Sequence, residues 1–225
     1  MKKTVDFLSA LYKDNNKAWF EQHKAQYKEA LEEFNAFTEK LIEGIAAFDP
    51  SVSGVTIKDC TYRIYRDVRF SHNKTPYKTH MGAYICRGGK KSGFAGYYFH
   101  VEPLGDNLLG GNLLASGLHM PEPKVLKSVR EEISFNGEQL IKNIKKAKEF
   151  EIDQSMVLSR VPQGFAKDSP YAEYLKLKDV ILLKSLTNDD ILDKNLLDRV
   201  LTLFKSTLDF NIQLNQAVEF AYEES

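Results

Sequence analysis

The chain has 225 residues, 43% of them hydrophobic, and its 31 Lys and Arg are matched by 31 Asp and Glu. It therefore has apolar material for a full core and no overall charge to drive general polyanion binding. No apolar run approaches the roughly 20 residues of a membrane helix, and two cysteines, Cys60 and Cys86, are too few for a disulfide scaffold.

Taken in order, Lys2 and Lys3 are followed by no apolar leader or small-residue cleavage site, so the expectation is a cytoplasmic protein with reduced, buried thiols and no membrane partner. Thr4 is placed as an N-cap ahead of a short helix whose apolar face is Phe7, Leu8, Leu11 and Tyr12. Asp14-Asn15-Asn16 ends it and starts a long second helix over about 17–48. On that helix Phe20, His23, Tyr27, Leu31, Phe34, Thr38, Leu41, Ile45 and Phe48 step by threes and fours, and Asp49-Pro50 stops it.

Four strands are expected at about 60–67, 79–87, 95–102 and 107–115, each aromatic, β-branched or alternating and bounded by Gly, Pro or Asn. Short connectors at 88–93 and 103–106 predict antiparallel hairpins rather than crossovers. Helices return at Pro121-Glu122-Pro123 and again at Asn136-Gly137, with a short one after Ser169-Pro170. A fifth strand is expected at 180–184, and Asn188-Asp189-Asp190 opens a final helix or helix pair, its acids favoured by the helix dipole. With no internal repeat or low-complexity linker, the reading is one α+β domain over 1–225. Its mostly antiparallel sheet of about five strands carries a long N-terminal helix and C-terminal helices packed on it.

Charge is concentrated in one place. Residues 58–91 hold nine Lys or Arg against Asp59 and Asp67 alone. Within them, Arg63, Arg66, Arg69, Lys74 and Lys78, with Tyr77, surround a turn at Asn73 and Thr75-Pro76 and are the candidate ligand-binding set. Arg offers a planar fork of donors and Lys a point charge, which together suit a phosphate or carboxylate. The competing reading is that the arginines pair with Asp67 and the acidic helices.

Strand alternation puts His80, Gly82, Tyr84 and Cys86 on one face and Tyr98, His100 and Glu102 on one face of the next strand. If those faces coincide, they form a polar floor under the basic loop, with His80 and His100 as the candidate catalytic acid–base groups. The alternative is an ordinary solvated sheet face. His80, His100 and Glu102 also make a two-His, one-carboxylate set, but no His-x-x-x-His spacing supports it and neither cysteine belongs to a Cys-x-x-Cys pair. No metal and no cofactor are expected. Nucleotide-loop and hydrolase-elbow patterns are absent.

The string RIYRDVRFSHNKTPYKTHMGA at 63–83 resembles the signature of the bacterial family catalogued as domain of unknown function 2461. FLSALYKDNNKAWFEQHKAQY, GLHMPEPKVLKSVREEI and RVPQGFAKDSPYAEYLKLKDV are similar to further segments of that family, so the likeness spans nearly the whole chain. One departure is Ser169, which stands before Pro170 where members tend to carry His; no histidine role passes to that position. The resemblance sharpens the fold and domain expectations and implies no activity. The residues themselves favour a pocket for a small anionic ligand, a nucleotide or phosphorylated metabolite, over a nucleic-acid duplex, which needs a continuous cationic track. An adaptor protein presenting the basic loop to an acidic protein partner is the other reading.

Overall fold

The computed structural model describes residues 1–105 and 111–223. It is an α+β fold: helices α1 (Lys2–Lys13), α2 (Lys17–Gln22), α3 (Lys24–Ala46) and the single-turn α4 (Ile57–Cys60) precede strands β1 (Met81–Cys86), β2 (Gly96–Val101) and β3 (Leu113–Leu118). Helix α5 (Pro123–Lys146), strand β4 (Glu151–Ile152), helix α6 (Ala172–Leu175), strand β5 (Val180–Ser185) and helices α7 (Asn188–Leu192), α8 (Leu196–Ser206) and α9 (Leu208–Glu223) follow. The sheet order is β1-β2-β3-β5-β4 and every pairing is antiparallel. No helix among the described residues is long and apolar enough to cross a membrane.

The apolar face of the sheet meets the helices. Phe99 of β2 packs on Phe34 and Phe37 of α3, with ring centroids 6.1 and 4.8 Å apart, and Tyr97 packs on Phe204 of α8 at 5.3 Å. The Tyr97 hydroxyl donates to Asp49 at 2.9 Å, so the one polar atom this large ring carries into the core is satisfied. Helix α9 lies along α5. Ser128 donates to the Ala217 carbonyl at 2.7 Å, and the Asn143 amide donates to Gln213 at 2.9 Å, polar pairs that fix how the two helices seat. Farther along α9, the side chain of Asn215 accepts from the Ala95 N–H at 2.7 Å and donates to the Ala95 carbonyl at 3.2 Å. It serves the backbone at the start of β2 as a neighbouring strand would.

Four local expectations are corrected. Thr4 lies inside α1, not at its cap; its N–H and hydroxyl both donate to Glu33. The second helix divides at His23, whose ring stacks on Trp19 at 3.9 Å and places Nδ1 2.7 Å from the Trp19 carbonyl, competing with the helical ladder. The two helices expected after Pro121 run together as α5, with a kink at Asn136.

The strand expected at 60–67 does not form. Thr56 and Asp59 cap α4 there, and the next residues make only isolated bridges, Thr61 to Ala83 and Tyr65 to Tyr77. The Arg66 N–H donates to the Pro76 carbonyl and the Lys78 N–H to the Ile64 carbonyl, at 2.9 and 2.8 Å. Pro76 has no N–H to return, so the ladder cannot lengthen into a strand. Of the strand expected at 107–115, residues 107–110 lie outside the described residues, 111–112 are bends, and β3 takes up 113–115 and runs on to Leu118.

Candidate functional site

The β1–β2 hairpin sets the geometry of the site. Its register pairs Gly82 with His100 and Met81 with Val101, which brings His80, just before β1, opposite Glu102, just after β2. Side chains two apart share a face, so His80, Gly82, Tyr98, His100 and Glu102 meet on one side of the sheet. The His80 and His100 rings lie 4.6 Å apart. His100 Nδ1 is 2.8 Å from the Tyr98 hydroxyl, and its Nε2 is 3.3 Å from Glu102 Oε2. The other carboxylate oxygen accepts from Thr79 at 3.2 Å and stands 4.0 Å from His80 Nδ1. One nitrogen from each imidazole and one Glu102 oxygen lie within 4.8 Å of one another.

His100 is fully buried and the Glu102 side chain is 1% exposed, while that of His80 is 26% exposed. Burial, reinforced by His100 and by the charges of Lys78 and Arg66, pulls the His80 pKa down to about 4 against the opposing pull of Glu102. His80 is therefore uncharged at neutral pH. Burial likewise holds the Tyr98 hydroxyl protonated.

Residues distant in sequence anchor the end of β2. Asn112 accepts from the Glu102 N–H at 2.7 Å and donates to Asn188, whose own amide donates to the Pro103 carbonyl. Neither asparagine carries a sequence signal, because the bond between them spans 76 positions. Gly82 was also silent; its missing side chain is the space that the Tyr98 ring occupies.

The cationic candidates do not act as one group. Arg69 makes a two-pronged pair with Asp67, through Nε at 2.9 Å and Nη2 at 2.6 Å, and is exposed. Lys74 donates to the Val68 carbonyl at 3.0 Å, also at the exposed tip. Arg66 reaches back across the turn to the Thr75 carbonyl and hydroxyl. Lys78 is half-buried beside the Tyr62 ring, its pKa lowered by burial and by Arg63. Arg66 and Lys78 both stand near enough to His80 to depress its pKa, and among the described residues neither they nor Arg63 form an ion pair with a carboxylate. Tyr77 points the other way, into the core, where its ring stacks on Phe20 at 3.9 Å.

A family model described as a conserved hypothetical protein (DUF2461) matches residues 3–212. The chain belongs to that family. No curated protein and no solved structure matches it. Within this DUF2461 chain, the match covers the basic turn, both histidines, Glu102 and the two anchoring asparagines.

Proposed function

We propose that the protein binds a small anionic ligand, a nucleotide or phosphorylated metabolite, at Arg66 and Lys78 in front of the His80–His100–Glu102 floor. The observation that carries this reading is the placement of two cations beside the floor: Lys78 is half-buried two residues before His80 and Arg66 is held across the turn by the Thr75 carbonyl, and among the described residues neither is ion-paired with a carboxylate. A half-buried ammonium destabilised by a neighbouring guanidinium gains from an incoming anion more than a solvated one does. The two free, buried cysteines agree with a reducing, cytoplasmic setting.

A thermal-shift screen of phosphate, sulfate, nucleotides and phosphosugars at low salt tests it, since a ligand that binds only the native state raises its melting temperature. The expected result is a shift for one ligand class that is lost in Lys78→Met and kept in Arg69→Ala. No shift for any class, or a shift lost only in Arg69→Ala, overturns the reading.

The loop tip favours the adaptor reading in one respect. Phe70 is 94% exposed beneath the Arg69 guanidinium, 5.8 Å from its ring centre, beside exposed Lys74. A basic, aromatic tip of this kind fits an acidic protein surface. Phe70→Ser that leaves a retained partner in place on affinity chromatography removes this alternative.

A further inference from the structure

The sequence offered no spacing that marks a metal site, yet the fold gathers three donors of the right kinds. We propose that His80, His100 and Glu102 bind one divalent first-row transition-metal ion, with an open coordination position on the side of His80. This goes beyond the anion reading and does not rest on it.

The donor set argues first. Two imidazole nitrogens and one carboxylate oxygen suit zinc, iron, cobalt or nickel, whereas magnesium and calcium take oxygen ligands. Three protein ligands leave room for water or substrate, as in catalytic rather than structural sites. Geometry argues second. Ligand atoms around a four-coordinate ion with bonds of about 2.1 Å stand about 3.4 Å apart. His100 Nε2 and Glu102 Oε2 are already 3.3 Å apart, and one nitrogen of each imidazole and one Glu102 oxygen all lie within 4.8 Å of one another, a spread that a turn of the partly exposed His80 ring narrows.

The surroundings argue third. In the tautomer whose Nδ1–H donates to the Tyr98 hydroxyl, 2.8 Å away, His100 presents the Nε2 lone pair toward Glu102, the arrangement in which metal-bound histidines are held by an outer partner. Gly82 leaves the room that lets Tyr98 do this. The backbone under Glu102 is tied to Asn112, so two of the three ligands are fixed in place before any ion arrives. His80, the partly exposed one, is the movable third.

The test is to strip purified full-length protein with a chelator, then titrate it with zinc chloride by calorimetry and with cobalt chloride by visible absorption. Wild type, His80→Ala, Glu102→Gln and Tyr98→Phe are compared, each checked for native circular dichroism. The expected result is one ion per chain with cobalt bands characteristic of a low-symmetry nitrogen and oxygen site. His80→Ala and Glu102→Gln should each weaken binding by about 100-fold or more and Tyr98→Phe by about 10-fold, and excess magnesium should not displace cobalt. His80 is partly exposed, so its replacement keeps the test valid even if Glu102→Gln fails to fold. Absence of binding by wild type, or equal binding by wild type and His80→Ala, overturns the proposal. Lys78→Met separates the two readings, because it should abolish the anion-dependent thermal shift and leave metal stoichiometry unchanged.

Discussion

Gly82 and Tyr98 occupy one another's space: a Cβ added to Gly82 collides with the Tyr98 hydroxyl and ring edge. The backbone at Gly82 is ordinary strand, so volume is the reason for glycine there. Gly82→Ala should cost about 1–3 kcal/mol in chemical denaturation, the usual range for overpacking. The effect should shrink in a Tyr98→Ala background, where the methyl group has room. Equal costs in the two backgrounds would show that the residues are uncoupled.

Tyr77 should behave as core. Its ring stacks on Phe20 and its backbone is held on both sides by Asn15, whose side chain donates to the Tyr77 carbonyl at 2.9 Å and accepts from its N–H at 3.2 Å. Tyr77→Ala should lower stability by about 3 kcal/mol or more while leaving ligand affinity at permissive temperature unchanged. A loss of affinity without loss of stability would return Tyr77 to the ligand site.

Glu33 ties α1 to α3 through Thr4 and lies 3.6 Å from the N-terminal amine. Burial acts to raise its pKa, but the Thr4 hydrogen bonds and the amine charge together outweigh it and hold it below the usual value of 4.5. A depressed carboxylate stabilises the fold above its unfolded pKa and loses that contribution as pH falls through its folded pKa. Glu33→Gln should therefore cost about 1 kcal/mol at pH 7, allowing for partial solvent screening. The difference from wild type should begin to close as pH falls below the usual 4.5 and vanish once pH has passed below the depressed folded value. A gap that does not narrow at all on acidification would point to packing rather than charge.

Both thiols should be inert in the native state. Burial pushes Cys60 up to about 12, with help from Cys86, and Cys86 up to about 11 against the pull of the Ser92 hydroxyl. Because the thiolate is the reactive form, an aromatic disulfide reagent at pH 8 should label neither until denaturant is added. Rapid labelling of one native thiol contradicts this.

The sheet was legible because its signals are local. Alternation puts His80 on one face of its strand and His100 with Glu102 on one face of the next, and leaves open whether those two faces coincide. Their close approach was not legible, since it depends on a register in which Gly82 meets His100 rather than a neighbour one or two positions away. The basic turn misled because propensity favoured a strand at 60–67, whereas the capping box at Thr56 and Asp59 and the missing N–H of Pro76 decide the backbone. The break at His23 was hidden for a similar reason: the apolar stripe continues across it, and only the ring's contact with the Trp19 carbonyl interrupts the helix. Arg69 and Lys78 looked equivalent as charges in sequence. Burial, a property of the fold, separates them.

The strand-like service that Asn215 gives to Ala95 has a practical consequence for anyone shortening the chain. Asn215 lies past residue 212, where the family match ends, as do Leu214, Ala217 and Val218, all buried in the core. A fragment cut at that boundary would leave the start of β2, the strand that carries His100 and leads into Glu102, with unpaired backbone groups and an uncovered face. It would report on unfolding rather than on the family's chemistry, so expression plasmids should encode α9 to its end at Glu223.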